Sequence, residues 1–104
     1  MRKLVVGAFV TLDGVMQAPG GPNEDREGGF QHGGWLVPYF DEKFGDSTSA
    51  GTKRAGAFLL GRKTYEIFAA SWPNSDDPEE PLNNLPKFVA SRTLDKVGWN
   101  NSSL

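Results

Sequence analysis

The chain has 104 residues, 23% of them charged, with a net charge of −2. One domain is the expected organisation, and a domain of about 100 residues hides roughly two thirds of its unfolded surface, enough for a single core. The charge balance excludes a whole-surface attraction to nucleic acid or anionic membrane, and the lack of cysteine excludes disulfides, thiolate metal sites and thiol catalysis.

Residues 3–12, "KLVVGAFVTL", form a near-continuous apolar run that predicts a strand buried on both faces. The run is short for a signal peptide and no small-residue cleavage site follows it. No apolar stretch approaches the ~18 residues of a membrane span, so the cytoplasm is the expected compartment. Asp13-Gly14 ends the run with turn chemistry.

Residues 17–34, "QAPGGPNEDREGGFQHGG", carry six glycines and two prolines, which exclude a helix or central strand. A loop longer than about 12–15 residues points to function or disorder, and Phe30 and the following Trp35 favour function. Pro38 predicts a helix over "PYFDEKF", with Asp41 and Glu42 at its positive end. The next stretch, "GDSTSAGTKRAG", has poor helix propensity and predicts little helix over 45–54.

Residues 57–60 predict a short strand closed by Gly61. Tyr65, Phe68, Ala69 and Trp72 then recur at helical spacing until Pro73 stops them. Residues 73–86 read as an acidic, proline-rich loop, 87–90 as another strand, and "GWNNSSL" as the start of one more. This alternation predicts an α/β fold with parallel strands. Ligands in such sheets bind beyond the carboxyl ends of the strands, which singles out Asp13-Gly14, Gly61-Arg62-Lys63-Thr64 and Ser91-Arg92-Thr93.

Gly61 before a helix allows a ligand to approach the backbone, and the helix start favours an anion. Arg62 and Lys63 add charge and Thr64 a hydroxyl, which is phosphate-binding chemistry; a plain solvated turn reads equally well. Arg92 with the hydroxyls of Ser91 and Thr93 suits a second phosphate, so together the two segments suggest a dinucleotide carrying an extra phosphate. Asp13 either orients a substrate or closes its turn. Asp41 either serves as proton donor or substrate anchor, or stabilises a helix start. Trp35, Tyr39, Phe40 and Phe44 supply core or pocket wall, with Trp35 and Phe40 the candidates for substrate contact. The single histidine, His32, lies between loop residues and makes no metal site. Asp76, Asp77, Glu79 and Glu80 read as a solvated acidic loop. No nucleophile–base pair is visible.

The ordered set "VTLDGVMQAPGG", "GGW", "LLGRKTYEIF", "LPKFVASRTL" and "WNNSSL" resembles the dihydrofolate-reductase-like superfamily, and within it the C-terminal reductase domain of the riboflavin-biosynthesis protein RibD. The resemblance runs nearly end to end. It implies a mostly parallel central sheet flanked by helices and an NADPH-dependent reductase acting on a pterin- or pyrimidine-like substrate of the 5-amino-6-(5-phosphoribosylamino)uracil type. It places Gly61, Arg62, Lys63 and Thr64 on the cofactor phosphates and Ser91 and Arg92 on the adenosine 2′-phosphate. Residues 13–34 would correspond to the mobile loop over nicotinamide and substrate, and Asp41 to the acidic helix position. Relatives are expected to be nearly twice as long, with further strands and a glycine-rich pyrophosphate loop beyond these residues. That leaves three possibilities: a truncated product, a fragment, or a protomer that completes its sheet by strand exchange in a homodimer. The alternatives to a reductase are a non-catalytic nucleotide-binding module and a structural fragment without a ligand.

Overall fold

Two short apolar stretches, each followed by turn chemistry, organise the larger part of the chain. The computed structural model describes residues 2–74 and 80–104, and the chain divides into two compact units, Met1–Phe40 and Asp41–Leu104. In the second unit β1 (Phe58–Gly61), β2 (Lys87–Ala90) and β3 (Ser102–Ser103) form a parallel sheet in the order β1-β2-β3. The elements between them are α2 (Arg62–Ser71) and α3 (Pro81–Asn84), and α1 (Glu42–Arg54) precedes the sheet. The predicted α/β class and parallel strands are therefore present, and the tail does supply a further strand.

Alternation along the strands sorts side chains to two faces. Leu60 and Val89 turn inward to Tyr65 of α2 and to Trp99, with Phe68, Ala69, Leu82 and Val97 packed around them. Of the predicted helical face, Tyr65, Phe68 and Ala69 face the core, whereas Trp72 lies in the turn beyond α2 and is exposed. After α2 a single 3-10 turn, Trp72–Asn74, takes over, where Pro73 has no N–H to continue the helix.

The inward position that opens β2 is a lysine. Lys87 is 0% exposed. Its ammonium donates to the carbonyls of Asn83, Leu85 and Asn100 at 3.1, 3.0 and 2.7 Å, and it lies 4.4 Å from the centre of a Trp99 ring. Three donors meet three acceptors, while burial pushes the Lys87 pKa below the ordinary lysine value. Around it Trp99 Nε1 donates to Asn83 Oδ1 at 2.8 Å, and Asn101 Nδ2 donates to the Asn84 carbonyl at 2.7 Å. The segment leading into β3 is therefore held as much by polar bonds as by apolar contact.

Tyr65 extends that arrangement from the helix side: its hydroxyl oxygen accepts from the backbone N–H groups of Gly98 and Trp99, both at 3.1 Å. Tyr65→Phe leaves those two amides without their acceptor, so we expect a loss of about 1–3 kcal/mol in urea unfolding with the fold retained. An unchanged midpoint would show that water replaces the hydroxyl at no cost.

Three sequence expectations are corrected. No residue from 3 to 12 belongs to a strand, and Leu4, Val5, Val6 and Val10 are exposed rather than buried. A strand needs a neighbour for its ladder bonds, and no described strand pairs with this run. The helix expected from Pro38 is instead a 3-10 turn, Val37–Tyr39, and the stretch 45–54 that promised little helix forms most of α1. Asp41 is extended, and its carboxylate accepts from Phe44 N at 2.8 Å, which fixes the helix start one residue later. Glu42 in the first turn and Lys53 and Arg54 in the last complement the helix dipole. The Thr52 hydroxyl returns to the Thr48 carbonyl at 3.0 Å. No residue of α1 is buried, so its ends rather than an apolar face sustain it.

In the first unit, Thr11 N–H donates to the Val15 carbonyl at 2.9 Å and Gly14 N–H to the Thr11 carbonyl at 3.0 Å, with Gly14 at φ +92°. The predicted turn is present, and it needs glycine there. The long loop that follows contains one 3-10 turn, Glu27–Gly29, and closes on itself. Trp35 Nε1 donates to the Gln17 carbonyl at 2.8 Å, and Gly34 N–H to the Ala18 carbonyl at 2.8 Å. Gln17 Nε2 reaches across to the carbonyls of Asp25 and Glu27 at 3.1 and 2.9 Å. At the neck the backbones touch, since a Cβ on Gly33 would lie 2.6 Å from the Gly21 carbonyl oxygen.

Candidate functional site at the carboxyl ends of β1 and β2

Gly61 and Ala90 are register partners in parallel strands. The residues that follow them, Arg62 and Ser91, therefore leave the sheet at the same edge, on strands that in parallel sheets lie about 4.8 Å apart. This brings the two predicted phosphate segments, 61–64 and 91–93, side by side.

Gly61 occupies the N-cap position of α2 with φ −74° and ψ 165°, a conformation open to any residue. A Cβ there would meet nothing within 4 Å. Neither backbone strain nor crowding within the chain calls for glycine. What glycine does is leave the approach to the first turn of α2 clear of any side chain, including one that would cap it. The amides of a helix start favour an anion in such a space.

Arg62 opens α2 and forms an ion pair with Glu66 at 2.9 Å, one turn along. Both side chains are well exposed, so the pair is weak and screened, yet it draws part of the Arg62 charge along the helix. Sequence reasoning missed Glu66, although arginine followed four residues later by glutamate is a readable helical pair. Lys63 and Thr64 are exposed on the same first turn.

At the end of β2 the Ser91 hydroxyl oxygen accepts from the N–H groups of Thr93 and Leu94, both at 3.1 Å. Ser91 thus holds the turn that carries Arg92. The Arg92 guanidinium is exposed and has no ionic or hydrogen-bonded partner among the described residues. It is a fork of donors whose full charge is open to a ligand.

The remaining candidates have local partners. Asp41 caps α1, so one of its oxygens is engaged. Asp13 is exposed and accepts from the Thr11 hydroxyl; that bond, aided by its own backbone amide, holds its carboxyl below the usual range. Trp35 closes the loop neck through its indole N–H. Phe40 is exposed, and its N–H donates to the Val37 carbonyl at 3.3 Å. Asp13, Trp35 and Phe40 belong to the first unit and Asp41 to the second. Of the acidic cluster, Asp76, Asp77 and Glu79 lie outside the described residues, while Glu80 caps α3 by accepting from Leu82 N at 3.3 Å. No helix among the described residues is long and apolar enough to cross a membrane.

No curated protein matches this chain. The family model described as RibD C-terminal domain matches residues 2–101. The chain belongs to the RibD C-terminal domain family, a reductase family of the dihydrofolate-reductase-like superfamily.

Proposed function

We propose that the chain carries the nucleotide-binding edge of an NADPH-dependent reductase whose substrate is a pterin- or pyrimidine-like ring of the 5-amino-6-(5-phosphoribosylamino)uracil type, acting in the cytoplasm. The observation that carries the reading is Gly61. It is a glycine that the backbone does not need, at a helix start, beside a strand end followed by an arginine with no partner among the described residues.

In this reading NADPH, when bound, supplies the hydride, and the protein supplies position and charge. The first turn of α2, with Lys63, Thr64 and the Arg62 guanidinium, holds phosphate oxygens over Gly61. Ser91 keeps its turn closed while Arg92 forks onto the adenosine 2′-phosphate. Trp35 and Phe40 serve as wall for the substrate ring, and Asp13 or Asp41 anchors it or moves its proton. A second reading has its own support. Both of those carboxylates already serve local bonds, as expected of a nucleotide-binding module without turnover. Oxidation of NADPH in the presence of such a substrate separates the two.

Gly61→Asp tests the placement, because fold and binding should move in opposite directions. Aspartate is a preferred N-cap and has open space here, so α2 should gain about 0.5–1 kcal/mol. The same carboxylate repels phosphate. We expect a raised or unchanged melting temperature together with loss of NADPH-induced quenching of tryptophan fluorescence. Undiminished binding would remove the cofactor from this edge.

A further inference from the structure

Among the described residues, two of the three α-helices of the second unit begin on a carboxylate. Asp41 caps α1, with Glu42 in its first turn, and Glu80 caps α3. Such groups offset the partial positive charge of a helix start. α2 has no acidic residue in its first turn and no side-chain cap, and it opens instead with Arg62 and Lys63. The carboxylate of α2 stands one turn further in, at Glu66.

That carboxylate is 2.9 Å from Arg62 Nη1. Side chains on a helix lean toward its N-terminus, so an unpaired Arg62 would reach into the space over Gly61. The bond to Glu66 holds the guanidinium back along the helix. The hold is weak. The two side chains are 41% and 47% exposed, and a cation followed four residues later by an anion is the less favourable order on a helix. A phosphate over Gly61 would offer Arg62 a better partner, because the guanidinium forks onto its oxygens in the direction the side chain already leans.

We propose that Glu66 is the resident counter-ion of this phosphate site. With no ligand it neutralises Arg62, and on binding Arg62 exchanges the Glu66 carboxylate for phosphate. The inference rests on the placement of phosphate at this edge. Glu66 touches no ligand and acts through Arg62, so it is a positioning residue. It opposes binding, because its ion pair must open before Arg62 can turn to the ligand.

The test is a double-mutant cycle on NADPH affinity, read by quenching of tryptophan fluorescence in the parent chain, Glu66→Gln, Arg62→Ala and the double variant. Glutamine keeps the length and helix propensity of glutamate and removes only its charge. We expect Glu66→Gln to tighten binding about two- to fivefold, Arg62→Ala to weaken it about fivefold or more, and Glu66→Gln to change nothing once Arg62 is gone. An affinity unchanged or lowered by Glu66→Gln overturns the inference. Equal tightening with and without Arg62 also overturns it, since Glu66 would then merely repel the ligand. Arg92→Ala, measured alongside, separates this failure from that of the site. If Arg92→Ala weakens NADPH binding and Glu66→Gln is silent, the counter-ion falls and the site stands. If neither Arg62→Ala nor Arg92→Ala moves the affinity, both fall.

Discussion

Arg92→Ala is expected to weaken NADPH binding about 10- to 100-fold and to leave NADH binding unchanged. The guanidinium is exposed, stands at the end of β2 beside the start of α2, and has no partner among the described residues, so its removal breaks nothing in the fold. A hydrogen bond to a charged group is worth about 1.5–3 kcal/mol, which sets the size of the effect. The two cofactors differ only in the 2′-phosphate, so the ratio of their affinities isolates this one contact from the rest of the site. Titrations of tryptophan fluorescence with each cofactor, on the parent chain and the variant, measure it. Equal losses for both cofactors would move Arg92 to a shared phosphate, and no loss for either would take it out of the site. Added salt should erode the NADPH preference in the parent chain and not in the variant, because an exposed charge pair is screened.

Lys87→Met is expected to cost about 3 kcal/mol or more, and with it the native fold of the second unit. Methionine matches the length of the stem and accepts burial, so packing is nearly conserved. The change deletes the donor that joins three carbonyls, those of Asn83, Leu85 and Asn100. Each acceptor left without a partner costs about 1–3 kcal/mol to the extent that it stays dry, against a total stability of about 5–15 kcal/mol for a domain. Lys87→Arg should not rescue it, since a planar fork cannot point three donors at acceptors arranged around a tetrahedral ammonium. Loss of amide dispersion in a nitrogen–proton correlation spectrum, with a lowered urea midpoint, is the expected outcome. A variant within 1 kcal/mol of the parent would show that water reaches those carbonyls without cost.

The parts of the fold that were legible are those whose signals are local. β2 stands between Pro86 and the Ser91 turn, and α2 announces itself through Tyr65, Phe68 and Ala69 and ends at Pro73. The two segments predicted to meet phosphate, 61–64 and 91–93, were placed at one edge by the rule for parallel strands, and the Gly61–Ala90 register agrees with that placement. The segment 3–12 misled because its composition describes a strand's side chains, whereas strand formation depends on a neighbour. α1 was hidden for the opposite reason. Its apolar face is slight, and its stability rests on Asp41, Glu42, Lys53 and Arg54 at the two ends, which a search for periodicity does not weigh. Lys87 lay beyond sequence reasoning altogether. Nothing in "KFVA" says that a cation will be buried, because one of its acceptors, on Asn100, is 13 residues away. The candidate site was legible as chemistry, in Arg92 above all. The pairing of Arg62 with Glu66, the service of Asp41 as a cap, and the freedom of Gly61 from any backbone need were visible only in three dimensions.

The neck of the long loop carries a consequence for how this protein can change. Its two sides meet backbone to backbone, where Gly33 lies against the Gly21 carbonyl and Gly34 and Trp35 bond to Ala18 and Gln17. Residues at the tip, beyond that clasp, can be exchanged or added to while the clasp stays as it is. Lengthening a loop whose ends are already pinned adds an entropic cost that grows only with the logarithm of its length, roughly 0.6 kcal/mol per doubling. The tip is therefore a cassette on a fixed mount, a place where a lineage or an engineer can try new surfaces at little risk to the neck that holds them.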